Sequence, residues 1–133
     1  MPFRPIAAKD RELIAAARET LRRRYRPHRH TVAAALRTTS GRVYTSVNVE
    51  STPHGPCAEW VVIGEALTEG DGDIRAIVAV TKRGRRYPVL PPCGSCRQIL
   101  VDYAPDASVI LTNGGKVVKA KARDLLPGPY VSV

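Results

Sequence analysis

Three cysteines constrain this chain more than any other feature: Cys57, in Pro56-Cys57-Ala58-Glu59, and Cys93 and Cys96, in Pro92-Cys93-Gly94-Ser95-Cys96. The sequence contains no fourth. Thirty-five residues lie between Cys57 and Cys93, room for a helix, a strand and a loop. A fold that uses the three sulfurs together must therefore bring two distant segments to one point. Three thiolates occupy three of the four tetrahedral positions of a zinc ion and leave the last open to water, as in catalytic rather than structural zinc sites. The odd cysteine count favours a metal over disulfides and a reducing compartment, so a cytoplasmic protein is expected.

With 133 residues, 44% of them apolar and 25% charged, the chain is expected to form a single soluble globular domain over residues 1–133. No apolar run is long enough to span a bilayer. The first 24 residues lack the apolar stretch of a secretory signal.

Leu13, Ala17 and Leu21 form an i, i+4, i+8 stripe that predicts a helix over residues 8–24, stopped by Pro27. Thr31 to Arg37 and Val43 to Val49 read as a hairpin joined by Thr38-Thr39-Ser40-Gly41. A second helix is expected from Pro56 or Cys57 to about Glu69, with Trp60, Val61, Gly64 and Leu67 or Thr68 along one side. Ile74 to Val80 is a continuous apolar run, the mark of a strand covered on both faces. A third helix is expected from Pro92-Cys93 to Tyr103, then strands Ser108 to Thr112 and Lys116 to Ala120 around the turn Asn113-Gly114-Gly115. This alternation predicts an α/β fold with a mixed sheet and helices packed on its faces. Both cysteine motifs fall at strand-to-helix junctions, which share one edge of the sheet if the strands before them are parallel.

Charge favours this placement. A helix N-terminus lowers the pKa of a cysteine from its usual value of about 8.5. Three thiolates around Zn²⁺ leave one net negative charge, which the two helix dipoles and Arg97, next to Cys96, can offset; Arg97 reads equally as a solvated helix residue. A favourable zinc site lowers the pKa of water from about 15.7 to about 7, or roughly 12 kcal/mol. Three anionic sulfurs blunt that effect, so a local base is needed. Glu59, two residues after Cys57, suits that role. The bland alternative is a closed site of Cys57, Cys93, Cys96 and His54, with Glu59 a surface residue.

The formal net charge is +9, with a dense cluster from Arg22 to His30. That cluster reads as a solvated helix end, with His28 and His30 belonging to a basic loop; the sharper alternative is an RNA- or phosphate-binding patch, and a nucleic-acid partner is not expected because stacking aromatics are scarce.

The chain resembles the cytidine deaminase superfamily, and within it the small cytidine and blasticidin-S deaminases. The resemblance starts near residue 10. It runs through Val32-Ala33-Ala34-Ala35, Gly41-Arg42-Val43-Tyr44, Asn48-Val49-Glu50, Gly55-Pro56-Cys57-Ala58-Glu59, Pro92-Cys93-Gly94-Ser95-Cys96-Arg97-Gln98 and Leu125-Leu126-Pro127. It implies a three-layer α/β/α fold with a mixed five-stranded sheet. It implies Zn²⁺ on Cys57, Cys93 and Cys96, with Glu59 as proton shuttle. It implies that Asn48 and Glu50 bind ribose hydroxyls, and that the Ala58 main chain binds the pyrimidine carbonyl. It also implies a homotetramer whose sites are completed by neighbouring subunits. Glu50 resembles the cytidine deaminases. The short Asn48-to-Cys57 spacing and the tail aromatic Tyr130 resemble the blasticidin-S group, although Ser132 stands where that group has a second aromatic. Trp60 replaces an arginine that cytidine deaminases often carry. The activity implied is hydrolytic deamination of a cytosine-type nucleoside, releasing ammonia. The alternatives are blasticidin-S or another aminopyrimidine or related heterocycle as substrate and, from a different class, a zinc-stabilised RNA-binding module.

Overall fold

The computed structural model describes residues 2–132. Helix α1 (Ala8–Arg24) is followed by strands β1 (Val32–Thr38) and β2 (Val43–Val47), helix α2 (Ala58–Thr68), strand β3 (Ile74–Thr81), helix α3 (Gly94–Tyr103) and strands β4 (Ser108–Asn113) and β5 (Lys116–Lys121). A short 3₁₀ turn, Ala122–Leu125, follows. The strands form one sheet in the order β2-β1-β3-β4-β5. Only β3 and β4 pair in parallel. Because β2 and β3 both run antiparallel to the β1 strand between them, they run parallel to each other and leave the sheet at the same edge. The segments leading to α2 and α3 therefore both start from that edge.

Strand alternation builds the three layers. In β1, Ala33 and Ala35 face α1, whereas Ala34 and Leu36 face α2 and α3. In β3, Ala76, Val78 and Val80 join Leu13, Ile14, Ala17 and Leu21 of α1, and Ile77 and Ala79 join Val62, Ile63, Ile99 and Leu100 on the other side. The α1 stripe is buried as its spacing predicts. The first turn of α1 is held by Asp10, whose carboxylate accepts from the Ala7 N–H at 2.8 Å and pairs with Lys119 of β5 at 2.8 Å.

Three sequence expectations are corrected. Strand β2 ends at Val47, not Val49, because the Asn48 side chain replaces the ladder: its Oδ1 accepts from the N–H groups of Thr31 and Val32 at 2.8 and 3.0 Å. Helix α2 begins at Ala58, with Cys57 as its N-cap. The buried side of α2 carries Ala58, Glu59, Val62, Ile63 and Ala66. Trp60, expected along the packed side, is 42% exposed, and Gly64, Leu67 and Thr68 also face outward. Apolar residues surround this helix, so periodicity does not select a face. Burial of Glu59 and the docking of Ala58, Val62 and Ala66 on the sheet select it instead. Helix α2 closes with Gly70 at φ 71°, where Gly70 N–H donates to Leu67 and Asp71 N–H to Ala66, a Schellman arrangement.

Candidate metal centre

Cys57 and Cys93 are the N-caps of α2 and α3, both in extended conformation, and Cys96 lies in the first turn of α3. The Cys93 sulfur accepts from the Cys96 N–H at 3.4 Å, as an N-cap side chain does. The sulfurs of Cys57 and Cys93 are 3.7 Å apart and those of Cys93 and Cys96 3.3 Å apart; all three lie within 4.8 Å of one another. A tetrahedral zinc with Zn–S bonds of about 2.3 Å needs sulfurs roughly 3.8 Å apart. The spacing and the all-sulfur donor set both fit Zn²⁺. His54 is exposed and stands outside this cluster, so the closed Cys₃His arrangement is not formed.

The sulfurs are electrostatically unequal. Burial drives the Cys96 thiol far above its usual value, and the Glu59 charge adds to this. Burial also raises Cys57, which the Cys96 thiol only partly offsets. At Cys93 burial acts upward too, but the Cys96 N–H and the neighbouring thiols outweigh it and leave the group low. Three adjacent sulfurs therefore do not all ionise on the protein's own charges, and a divalent cation among them removes that conflict.

Glu59 is 6% exposed on the first turn of α2. Burial raises its carboxyl pKa, with its own backbone N–H and the Cys96 thiol pulling the other way. It lines a cavity of about 300 Å³ together with Cys57, Cys93, Ala58, Asn48 and Glu50. The Ala58 N–H belongs to the first helical turn, which has no intrahelical acceptor. Asn48 spends its carbonyl oxygen on backbone N–H groups, which leaves its amide N–H₂ as the donor. Glu50 packs so closely on Gly55 that a Cβ there would collide with the carboxylate, which accounts for glycine at that position.

Thr31, Val32, Leu90 and Pro91 complete the cavity wall. Sequence reasoning missed them as site residues. Their only signal is topological, since the start of β1 lies between the ends of β2 and β3. Two expected residues stand apart. Arg97 donates to the carbonyls of Pro92 at 2.9 Å and Leu125 at 3.1 Å, so it ties α3 to the C-terminal segment and makes no hydrogen bond to sulfur. Tyr130 is 75% exposed, its backbone bound to the Gln98 side chain, and does not line the cavity of its own chain. Trp60 Nε1–H donates to Ser95 Oγ at 3.1 Å, which joins the two helix starts that carry the sulfurs.

Residues 7–112 match the family model described as the cytidine and deoxycytidylate deaminase zinc-binding region. The chain is 36% identical to a blasticidin-S deaminase of Bacillus cereus, with 94% of each chain covered. It is also 36% identical to a cytidine deaminase of Halalkalibacterium halodurans, over 92% of this chain and 96% of the relative. A crystal structure of cytidine deaminase from Burkholderia pseudomallei superposes with a TM-score of 0.77 at 33% identity, covering 94% of this chain and all of that one. Two helix caps that deliver three sulfurs to one point, a buried carboxylate beside them and these similarities lead to one conclusion: the chain belongs to the family of zinc-binding cytidine and deoxycytidylate deaminases.

Proposed function

We propose that this protein is a zinc-dependent aminohydrolase that converts cytidine or deoxycytidine to the corresponding uracil nucleoside and ammonia, with residues 1–133 acting as one catalytic domain. The observation that carries the nucleoside reading is the shared cavity: Asn48 and Glu50 line the same hollow of about 300 Å³ as Glu59 and the sulfurs of Cys57 and Cys93. That volume is at the lower end of ordinary small-molecule sites.

When bound, zinc supplies the acidity that makes a water nucleophilic at neutral pH. The protein's own groups do the rest. Glu59 takes a proton from the attacking water and delivers it to the ring nitrogen. The oxygen bonds to the amino-bearing carbon. Glu59 then carries the second proton to the amine, the carbon–nitrogen bond breaks, and ammonia leaves. Burial of Glu59 holds its pKa up toward the range a group needs to both accept and return a proton. The Ala58 N–H donates to the pyrimidine carbonyl. The Asn48 amide donates to the sugar, and Glu50 accepts from its hydroxyls. The assembly we propose is a homotetramer in which the exposed Tyr130 reaches a neighbour's site.

Similarity to the blasticidin-S deaminase favours a second reading, with that compound as substrate. Its guanidinium is not drawn by a +9 surface at long range, although Glu50 and Glu59 supply local negative charge. An ammonia-release screen of cytidine, deoxycytidine, cytosine and blasticidin-S separates the two. We expect the nucleosides to turn over fastest. Glu50→Ala should raise KM for nucleosides about tenfold while leaving free cytosine nearly unchanged. Equal effects on both would remove the sugar contact, and turnover confined to blasticidin-S would establish the second reading.

A further inference from the structure

The whole of the +9 net charge sits in two short stretches. Residues 18–29 and 82–87 hold ten of the 21 Lys and Arg residues and one of the 12 acidic ones; the rest of the chain is balanced, eleven against eleven. About fifty residues separate the stretches in sequence, and the fold joins them. Arg18 Nε donates to the Tyr87 carbonyl at 2.9 Å, and Lys82 Nζ stands 4.7 Å over the Tyr25 ring. Between them opens a cavity of about 420 Å³ lined by Arg18, Arg83, Arg86, Tyr87 and Pro88.

The hairpin turn makes this arrangement costly on its own. Arg83 and Arg86 exchange both backbone hydrogen bonds, at 2.9 and 3.0 Å, so their side chains lie directly opposite on one face. Like charges so placed destabilise a hairpin. No carboxylate relieves them: among the described residues only Arg22 of the ten cations pairs with an acid, Glu19 at 2.7 Å. At the other end of the face, Arg29 donates to the Glu50 carbonyl at 3.2 Å, which brings the positive charge to the rim of the sulfur-lined cavity.

We propose that this face binds the phosphate backbone of nucleic acid. Nine of the ten cations are arginines, whose planar forks match phosphate oxygens. Arg18, Arg83 and Arg86 line the cavity, Lys82 stands beside it and Arg29 lies at the far end, a spread of charge wider than one compact anion can engage. The face cannot lie against its own copy across a two-fold axis, because like charge would meet like. Among the described residues its one exposed large apolar side chain is Tyr25, whose ring lies under Lys82, while Leu13, Ile14, Ala17 and Leu21 of α1 are buried in the core, so it offers no row of apolar side chains for a membrane.

The test is fluorescence anisotropy of labelled 20-nucleotide single strands of RNA and DNA, and of a 20-base-pair duplex, on the zinc-loaded full chain between 50 and 300 mM salt. We expect log K against log salt to fall with a slope of about −3 to −6 on single strands, as four to eight phosphate contacts require. Duplex binding with a steeper slope supports the same backbone chemistry. Arg83→Gln/Arg86→Gln should weaken binding about tenfold at 100 mM salt and flatten the slope by roughly 1.4, while nucleoside deamination stays at the wild-type rate and the thermal midpoint is equal to or above the wild-type value. Arg75→Gln/Arg123→Gln removes the same charge from elsewhere and should change affinity less than twofold. If the hairpin variant melts early, Arg18→Gln/Lys82→Gln, one at the cavity wall and the other over the Tyr25 ring, carries the same expectation. Equal loss in the face and control variants, or no loss in the face variants, would overturn the proposal. So would equal competition by polyglutamate at matched charge, tighter binding of anionic lipid vesicles, or a nucleoside triphosphate that binds as well as the 20-nucleotide strands.

Discussion

At the N-terminal end of α2 the Glu59 carboxylate is buried against the Cys96 thiol, whereas just past its C-terminal end the Asp71 carboxylate accepts from the hydroxyls of Thr38, Ser40 and Tyr44 at 2.8, 2.9 and 3.1 Å. Burial raises the Glu59 pKa and outweighs its own backbone N–H and the Cys96 thiol, which act downward. Burial acts upward on Asp71 too, but the three hydroxyls outweigh it and hold that group below the usual carboxylate range. Glu59 is held toward its protonated form, whereas Asp71 is held toward its charged form and ties the β1–β2 turn to the helix end. Burial and hydrogen bonding thus drive two carboxylates at the two ends of one helix in opposite directions, and the difference comes from what surrounds each group.

The largest effect should come from the sulfurs that complete the catalytic end. Cys96→Ser is expected to lower zinc affinity and turnover by at least about a hundredfold, read by metal analysis and ammonia release. A variant that keeps one tightly bound zinc per chain would show that this sulfur is not a ligand. Next comes Glu59→Gln, which should retain zinc and the wild-type melting temperature while kcat falls roughly 10²–10⁴-fold. Near-normal turnover would end the assignment of Glu59 as proton carrier.

The structural end should answer in the opposite sense. Asp71→Asn is expected to lower the melting temperature by roughly 5 °C and leave kcat within twofold of wild type. Because the Asp71 carboxyl titrates lower in the folded than in the unfolded chain, its stabilisation is present above about pH 3.9 and is lost as pH falls through the folded value. Acid unfolding of the variant should therefore be less steep below pH 4. An unchanged acid limb would show that the three hydroxyls do not hold Asp71 ionised. The smallest effect belongs to the link between the two sulfur-bearing helices. Trp60→Phe removes the hydrogen bond to Ser95 and should cost about 0.5–1 kcal/mol in chemical denaturation, with a faster loss of zinc to chelator. Unaltered metal release would mean that the caps are positioned without it.

Legibility in the sequence followed the strength of local rules. The α1 stripe and the buried β3 run each have one reading, because only one face of such a helix and both faces of such a strand suit a core. The end of β2 was not legible, since Asn48 competes with the ladder through a side-chain bond that spacing does not announce. The packed face of α2 was hidden by apolar residues on every side, and Trp60 was misplaced for that reason.

The sequence alone determined the donor chemistry: three sulfurs with motif spacing for helix starts, a carboxylate two residues from the first, and an alternation of elements that places both motifs where strands end. Covalent spacing and residue type suffice for that, because ligand softness and cap preference are local properties. Only the tertiary structure decided which groups share a space. It turned Glu59 into the sulfur-lined cavity, placed Arg97 on carbonyls, left Tyr130 outside and joined two basic stretches about fifty residues apart. Those outcomes depend on strand order and helix rotation, which are set by how the whole core packs rather than by any one segment's preference.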